Sequence, residues 1–353
     1  MITVYTLDQT DEWRKIVSSF KKYDVYYLPG YVKAFKIHGD GEPLLVYWTQ
    51  NKSGTGSRGI NVVMKRDISE DSHFSGKIEP GTYFDFSTPY GYGGWLIEGE
   101  DSDNLFPEYV KWCKRNNIVC EFVRFHPMLE NQHYSEEAYD VIRLGETVAL
   151  DLTSYDMIWS NLKSTCRNRI RNALKIPVQV YNGRFPEIFK KFPDIYDLTM
   201  DKDNADPYYY FEPDFYDSIL NDLPEEAQIF YAQIPDGKII AAVIMLECNG
   251  YMNYHLSCSL PEYSKIAATN MIIYQAALWG SRHGFRSLYL GGGVGSEEDN
   301  LLRFKKTMYK GEKGYPRFYI GKKVFDKEAY DQLCNMRGIN SNSDGFFPRY
   351  RTE

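Results

Sequence analysis

The stretch that decides the fold is YMNYHLSCSLPEYSKIAATNMIIYQAALWGSRHGFRSLYLGGG, residues 251–293. Tyr251 to Leu256 reads as a strand. Ala267 to His283 reads as a helix closed by Gly284, the residue type that most easily takes the left-handed conformation at a helix end. Arg286 to Leu290 is the next strand, and it opens into Gly291, Gly292 and Gly293. Strand, helix, strand in this order indicates an α/β architecture.

Upstream, Ile229–Gln233 and Lys238–Leu246 flank IPDG, where Asp236 and Gly237 supply a tight hairpin turn. The first half carries a similar order. Leu44–Trp48 and Ile60–Met64 are strands joined by TQNKSGTGSRG, a loop expected to be exposed. A helix over Asn104–Arg115, a turn at Asn116 and Asn117 and a strand over Val119–Phe125 follow. This is an echo of architecture without a sequence repeat, and both a duplicated pair and two unrelated α/β domains satisfy it. The length of 353 residues agrees with about two domains.

Between the halves, Val148–Leu152 is a strand after the polar run YSEEAYD. Tyr155–Lys175 reads as one long helix, because Trp159, Leu162, Cys166, Ile170 and Leu174 recur at spacings of three and four. Pro177 ends it, and Val178–Tyr181 begins a strand. Tyr209–Leu220 and Glu297–Lys306 are further helices, and Arg317–Phe325 is a last strand.

Composition narrows the function. The formal charge is −7, which disfavours a general nucleic-acid binder and argues against DNA as a partner. The N-terminal MITVYTLDQTDEWRKI lacks the basic-then-apolar pattern of a signal peptide. The richest apolar run, Ile239–Leu246, is far short of the roughly 18 residues a membrane span needs. At most peripheral membrane association is expected. The six cysteines form no CxxC pair and no zinc pattern, so no metal is expected and a reducing cytoplasm suits them.

Five clusters can carry chemistry. Lys163, Arg167, Arg169, Arg171 and Lys175 form a basic stripe, either an anion site or a solvated helix face. LGGGVG, residues 290–295, is either a tight turn or a ligand-facing loop. It is neither GxGxxG nor a P-loop. Lys305, beside Phe304, is either an oxyanion-stabilising charge or a surface charge. His255, in the run from Tyr254 to Ser257, is either an acid or base or a structural histidine. There are 30 tyrosines. Tyr26, Tyr27, Tyr31, Tyr90, Tyr92, Tyr208, Tyr209 and Tyr210 lie beside Gly and Pro. As a set they suggest a groove, while each alone is explained by loop packing.

Taken in order, YYLPGYVKAF, TPYGYGG, NLKSTCRNRIRNALK, residues 251–293, LLRFKKTMYKG and YPRFYIGKKVFD resemble the FemA/FemB/FemX group of peptidoglycan bridge-forming transferases and related GNAT-like proteins. The resemblance runs over about residues 20–335 and is strongest from Tyr251 to Phe325. It implies an α/β fold of tandem GNAT-like domains, mixed central sheets flanked by helices. The expected boundaries are 1–148 for an acceptor-side domain, 149–316 for a catalytic and donor-side domain, and 317–353 for a strand and helix that return to the first domain.

The resemblance further implies transfer of an aminoacyl group from aminoacyl-tRNA to an amine of a peptidoglycan precursor peptide. Relatives in the wider group use acyl-CoA. It places Lys305 by the transferring carbonyl, with His255 or a substrate phosphate as proton acceptor. Phe304, Tyr254 and Ser257 would line the cleft and Tyr31 and Lys33 the acceptor side, while Tyr90 and Tyr209 are expected at the substrate from the tyrosine set alone. Arg167 and Arg171 would orient a phosphate or the tRNA end, or else only support the domain junction, and Ser264 to Asn270 could offer backbone N–H groups at a helix start.

Two departures stand out. No coiled-coil arm for tRNA is visible, and the [QR]xxGx[GA] loop of acyl-CoA enzymes is missing. Three readings follow. The first is acyl or aminoacyl transfer to an amine or hydroxyl of a cell-envelope precursor. The second is acyl-CoA-dependent modification of a polysaccharide or small amine. The third is a non-catalytic binding pair, which a lysine buried away from solvent would favour. Donor, acceptor and oligomeric state are left open by the sequence.

Overall fold

The computed structural model describes residues 1–51, 56–340 and 345–352. Residues 52–55, in the loop expected to be exposed, lie outside the described residues. The chain divides into two units, Met1–Leu144 with Phe318–Glu353, and Gly145–Arg317.

The first unit begins with β1 (Ile2–Tyr5), α1 (Thr10–Ser18), α2 (Pro29–His38), β2 (Glu42–Thr49) and β3 (Arg58–Asp67). It continues with β4 (Phe84–Ser87), β5 (Leu96–Glu98), α3 (Leu105–Arg115), β6 (Ile118–Arg124) and β7 (Asp140–Glu146). The second unit holds β8 (Val148–Asp151), α4 (Tyr155–Asn161), α5 (Ser164–Ala173), β9 (Gln179–Gly183), α6 (Pro186–Asp203) and α7 (Pro213–Asp222). Then come β10 (Ala227–Gln233), β11 (Ile239–Cys248), β12 (Tyr251–Ser259), α8 (Ala268–Arg282), β13 (Ser287–Gly291) and α9 (Asn300–Lys305). The chain closes on β14 (Arg317–Val324) and α10 (Lys327–Met336).

In the first unit the strands run β1-β2-β3-β4-β6-β14-β7, with β5 on β3. In the second they run β8-β13-β12-β11-β10-β9. Both are mixed sheets with one internal strand–helix–strand crossover. The pair β4 and β6 is parallel around α3, and β12 and β13 are parallel around α8. The echo seen in the sequence is therefore an echo of topology.

Every residue of β11 is buried, which fits its unbroken apolar run and a strand covered on both faces. Ile272, Ile273 and Ala276 of α8 join Phe230, Val243 and Leu288 in one core. Trp48, Phe86, Trp95 and Tyr109 centre the core of the first unit. All six cysteines are free and buried. Among the described residues no helix is long and apolar enough to cross a membrane.

Several elements differ from the sequence reading. The single helix expected over Tyr155–Lys175 is two, α4 and α5. Leu162 and Lys163 between them are extended, with ψ of 138° and 153°. The Lys163 N–H donates to the Thr307 carbonyl, and the Arg167 guanidinium donates to the Leu162 carbonyl at 2.6 Å. Trp159, Leu162, Cys166 and Ile170 all face one core, so their spacing passes over the break. Leu174, expected as the next core position, is 58% exposed, because α5 stops at Ala173.

The helix expected over Tyr209–Leu220 starts at Pro213, and the one expected over Glu297–Lys306 starts at Asn300. In each case a proline at the first turn or an aspartate cap fixes the start. The 18-residue α6 was unforeseen, since Pro193 inside it reads as a breaker.

Candidate functional site

The crossover β12–α8–β13 builds the candidate site. Parallel pairing joins Tyr251, Met252 and Asn253 to Ser287, Leu288 and Tyr289. Beyond these, among the described residues, β12 is paired only with β11, while Gly291 pairs with Val148 of β8. The two strands part, and the backbone groups facing the gap become available. Tyr254, His255 and Ser257 stand on one side and Gly291–Gly293 on the other.

Lys305, at the end of α9, reaches this gap. Its Nζ donates to the Gly292 carbonyl at 2.7 Å and lies 5.9 Å from the centre of the Tyr254 ring. The residue is 7% exposed, so it is not a surface charge. Burial pulls its pKa down to about 8, with the carboxylate of Asp299 acting in the other direction. Burial alone is what a binding-only pair would show. Here, however, the amine meets a carbonyl, an aromatic face and a carboxylate, and it can exchange its proton near neutral pH.

Asp299 holds the arrangement together. One oxygen accepts the Leu302 N–H at 2.7 Å, capping α9, and the other accepts the Val294 N–H at 3.0 Å. Burial works against the charge of Asp299, but these bonds and Lys305 outweigh it and lower the pKa. A Cβ on Gly293 would lie 2.4 Å from Asp299 Oδ1 and 2.5 Å from the Glu297 carbonyl. The glycine is thus required by the cap. Sequence reading missed Asp299; its signal was an Asp directly before the helical Asn300–Lys305.

The other expected residues divide. Tyr254 joins the gap. Burial pushes its phenol up to about 12, partly offset by a hydrogen bond with Ser257. His255 is the extra residue of a bulge, where the register on β11 shifts between Ile244 and Met245. Desolvation pushes its pKa down to about 3, so the ring is neutral at physiological pH and a weak base. That disfavours the proton-acceptor role expected for it. Phe304 is half-buried against the core.

Asn270 is buried and donates to Cys166 Sγ at 3.5 Å, which ties α8 to α5. Ser264 is exposed. Ala267, before α8, is left-handed, and no side chain caps that helix. In the basic stripe, Arg167 is engaged with the Leu162 carbonyl, while Arg171 is exposed and packs over Trp159 at 5.2 Å. Tyr209 is half-buried in a turn between α6 and α7.

Tyr31, Lys33 and Tyr90 belong to the first unit. Tyr26, Tyr27 and Tyr31 are buried there, so they are core and not groove lining. Tyr31 donates to the Tyr90 carbonyl at 2.5 Å, and Tyr26 packs edge-on against it. Lys33 is exposed.

Comparison with known proteins gives the frame for this geometry. Residues 160–306 match the family model described as an acetyltransferase (GNAT) domain. No curated protein sequence matches the chain. The crystal structure of FemX aligns over 94% of this chain and 99% of that one, with a TM-score of 0.66 at 12% identity. A conserved protein of unknown function from Bacteroides thetaiotaomicron aligns over 92% and 100%, with a TM-score of 0.59 at 12% identity. L-PGS from Bacillus licheniformis aligns over 87% and 91%, with a TM-score of 0.53 at 14% identity. At such identities the likeness is one of fold, tandem GNAT-like domains. The gap that Lys305 enters lies within the matched segment and at its end. Residues 160–306 match a GNAT acetyltransferase domain, and the chain as a whole shares the fold of FemX.

Proposed function

We propose that the protein transfers an acyl or aminoacyl group to an amine or hydroxyl of a cell-envelope precursor, such as a peptidoglycan peptide, at the gap between β12 and β13. The observation that carries this reading is the buried Lys305 amine, held on the Gly292 carbonyl where the strands part. A carbonyl entering the gap would develop negative charge beside it in the transition state. The attacking amine must shed a proton, and with His255 a weak base, a substrate phosphate or water takes that role.

The second reading, an acyl-CoA-dependent N- or O-acyltransferase, is favoured by the GNAT domain match and by the uncapped start of α8. Backbone N–H groups there suit a phosphate-bearing donor. The missing donor loop motif leaves acyl-CoA and aminoacyl-tRNA as the two donor classes.

The test is a thermal-shift screen of purified protein with acyl-CoAs, charged tRNAs and UDP-linked muropeptides, followed by mass analysis of products. Stabilisation by one donor class and a matching product mass are expected. Lys305→Ala should retain the fold and lose most turnover, about 100-fold. Wild-type turnover in that variant would overturn the role of Lys305, and transfer from neither donor would overturn the reading.

A further inference from the structure

The end of α5 and the turn that follows it carry a surface that the proposed transfer does not use. From Met157 to Pro186 the chain holds six cations and no acid, in a molecule of net charge −7. Arg169, Arg171 and Lys175 are exposed. Among the described residues none of the three makes an ion pair, whereas Lys238, Lys306, Lys313 and Arg317 of the same unit all do. The neighbouring elements supply no counter-charge. Helix α8, packed on α5, carries no acid. The turn Pro261–Ile266 carries one, Glu262, which pairs with Lys238 at 3.3 Å.

Two apolar side chains flank Lys175. Leu174 is 58% exposed and Ile176 38% exposed. Neither is frayed: the Leu174 N–H donates to the Ile170 carbonyl at 2.9 Å, and the Ile176 N–H to the Ala173 carbonyl at 3.0 Å. Val178 then returns to the core, which pins the turn with Ile176 outside. Trp159 is half-buried beneath the Arg171 guanidinium, 5.2 Å away, and packs on Tyr274 at 5.3 Å. A solvated helix face accounts for the cations but not for two ordered aliphatic side chains in water. A polynucleotide would engage the cations and leave the leucine and isoleucine exposed. An anionic bilayer engages both. Its phosphates attract the cations, its acyl boundary accepts the aliphatic side chains, and tryptophan and tyrosine favour the level between.

We infer that the end of α5, with the turn into β9, docks on the surface of an anionic phospholipid bilayer. Leu174 and Ile176 enter the acyl boundary, and Arg169, Arg171 and Lys175 meet lipid phosphates. The attachment is peripheral, made by side chains and not by a span. It goes beyond the transfer reading and does not depend on it.

The experiment is co-sedimentation of the full chain with phosphatidylcholine vesicles containing about 30% phosphatidylglycerol. Pure phosphatidylcholine vesicles and a labelled single-stranded RNA are the comparison probes. Binding to the anionic vesicles about tenfold tighter than to phosphatidylcholine, and weakened by salt, is expected. The double variant Arg171→Glu, Lys175→Glu should weaken it about tenfold or more. The double variant Leu174→Ser, Ile176→Ser should weaken it about fivefold at unchanged charge. No binding to anionic vesicles, equal binding to both vesicle types, or full binding by the serine variant would overturn the docking. RNA binding that the charge reversal abolishes, without vesicle binding, would assign the cations to a polynucleotide and overturn it as well. Circular dichroism identifies misfolding. If the double serine variant misfolds, Leu174→Ser alone decides, and unchanged vesicle affinity in it overturns the docking. Vesicle docking without transfer from any donor would sink the transfer reading and leave the docking standing.

Discussion

Lys305 holds an amine where water does not solvate it, and its behaviour with pH follows from that. Burial places its pKa at about 8. If the charged form stabilises the oxyanion, turnover should fall as pH rises through about 8, and Lys305→Arg should move that limb upward; log kcat against pH reads both. His255 gives the complementary prediction for stability. Its folded-state pKa of about 3 lies below the ordinary 6.5. The unfolded chain therefore holds more protons in that window, and stability present above pH 6.5 is lost as pH falls towards 3. The slope is at most about 1.4 kcal/mol per pH unit. Urea titrations across this range should show His255→Gln flattening it.

At the scale of elements, the junction of α4 and α5 is the place where one side chain sets backbone direction. Arg167 closes the end of α4 by donating to the Leu162 carbonyl at 2.6 Å. The buried Leu162 then turns the chain into α5 without leaving the core. Arg167→Ala should destabilise the second unit by about 1 kcal/mol, a charged hydrogen bond discounted for partial exposure. Urea denaturation of purified protein checks this, and no change in midpoint would mean that the core alone fixes the turn. An anion role for Arg167 would instead leave stability untouched and weaken donor affinity. Arg171, by contrast, is exposed and lies over the Trp159 ring at 5.2 Å.

At the scale of the whole molecule, the C-terminal segment completes the first unit. β14 pairs with β6, and Tyr350 fills a core with Ile68, Phe74 and Cys120. Asp85 is fully buried there, facing Arg66 and Arg351 at 2.7 Å each and accepting from the Tyr350 hydroxyl at 2.8 Å. Burial opposes its charge, yet the two guanidinium groups hold its pKa below the usual carboxylate range. Arg351→Met leaves that carboxylate half-compensated and should cost about 2–4 kcal/mol. The Cys120 thiol, packed 3.2 Å from the Tyr350 hydroxyl, should then alkylate faster, as mass spectrometry can follow. Unchanged protection of Cys120 would show that the segment is held by packing alone.

The sequence by itself determined the strand–helix–strand crossover at 251–293 and the hairpin at 229–246. Each of these rests on contacts close along the chain: a turn, a helix cap, an apolar period. Tertiary structure alone decided three other matters. It split the helix at Leu162, because the Lys163 N–H finds the Thr307 carbonyl far along the chain. It buried Tyr31 and Asn270, whose polar groups found partners on distant segments. It also lowered the pKa of both His255 and Lys305 by desolvation, which no residue shows until the neighbours that exclude water are in place.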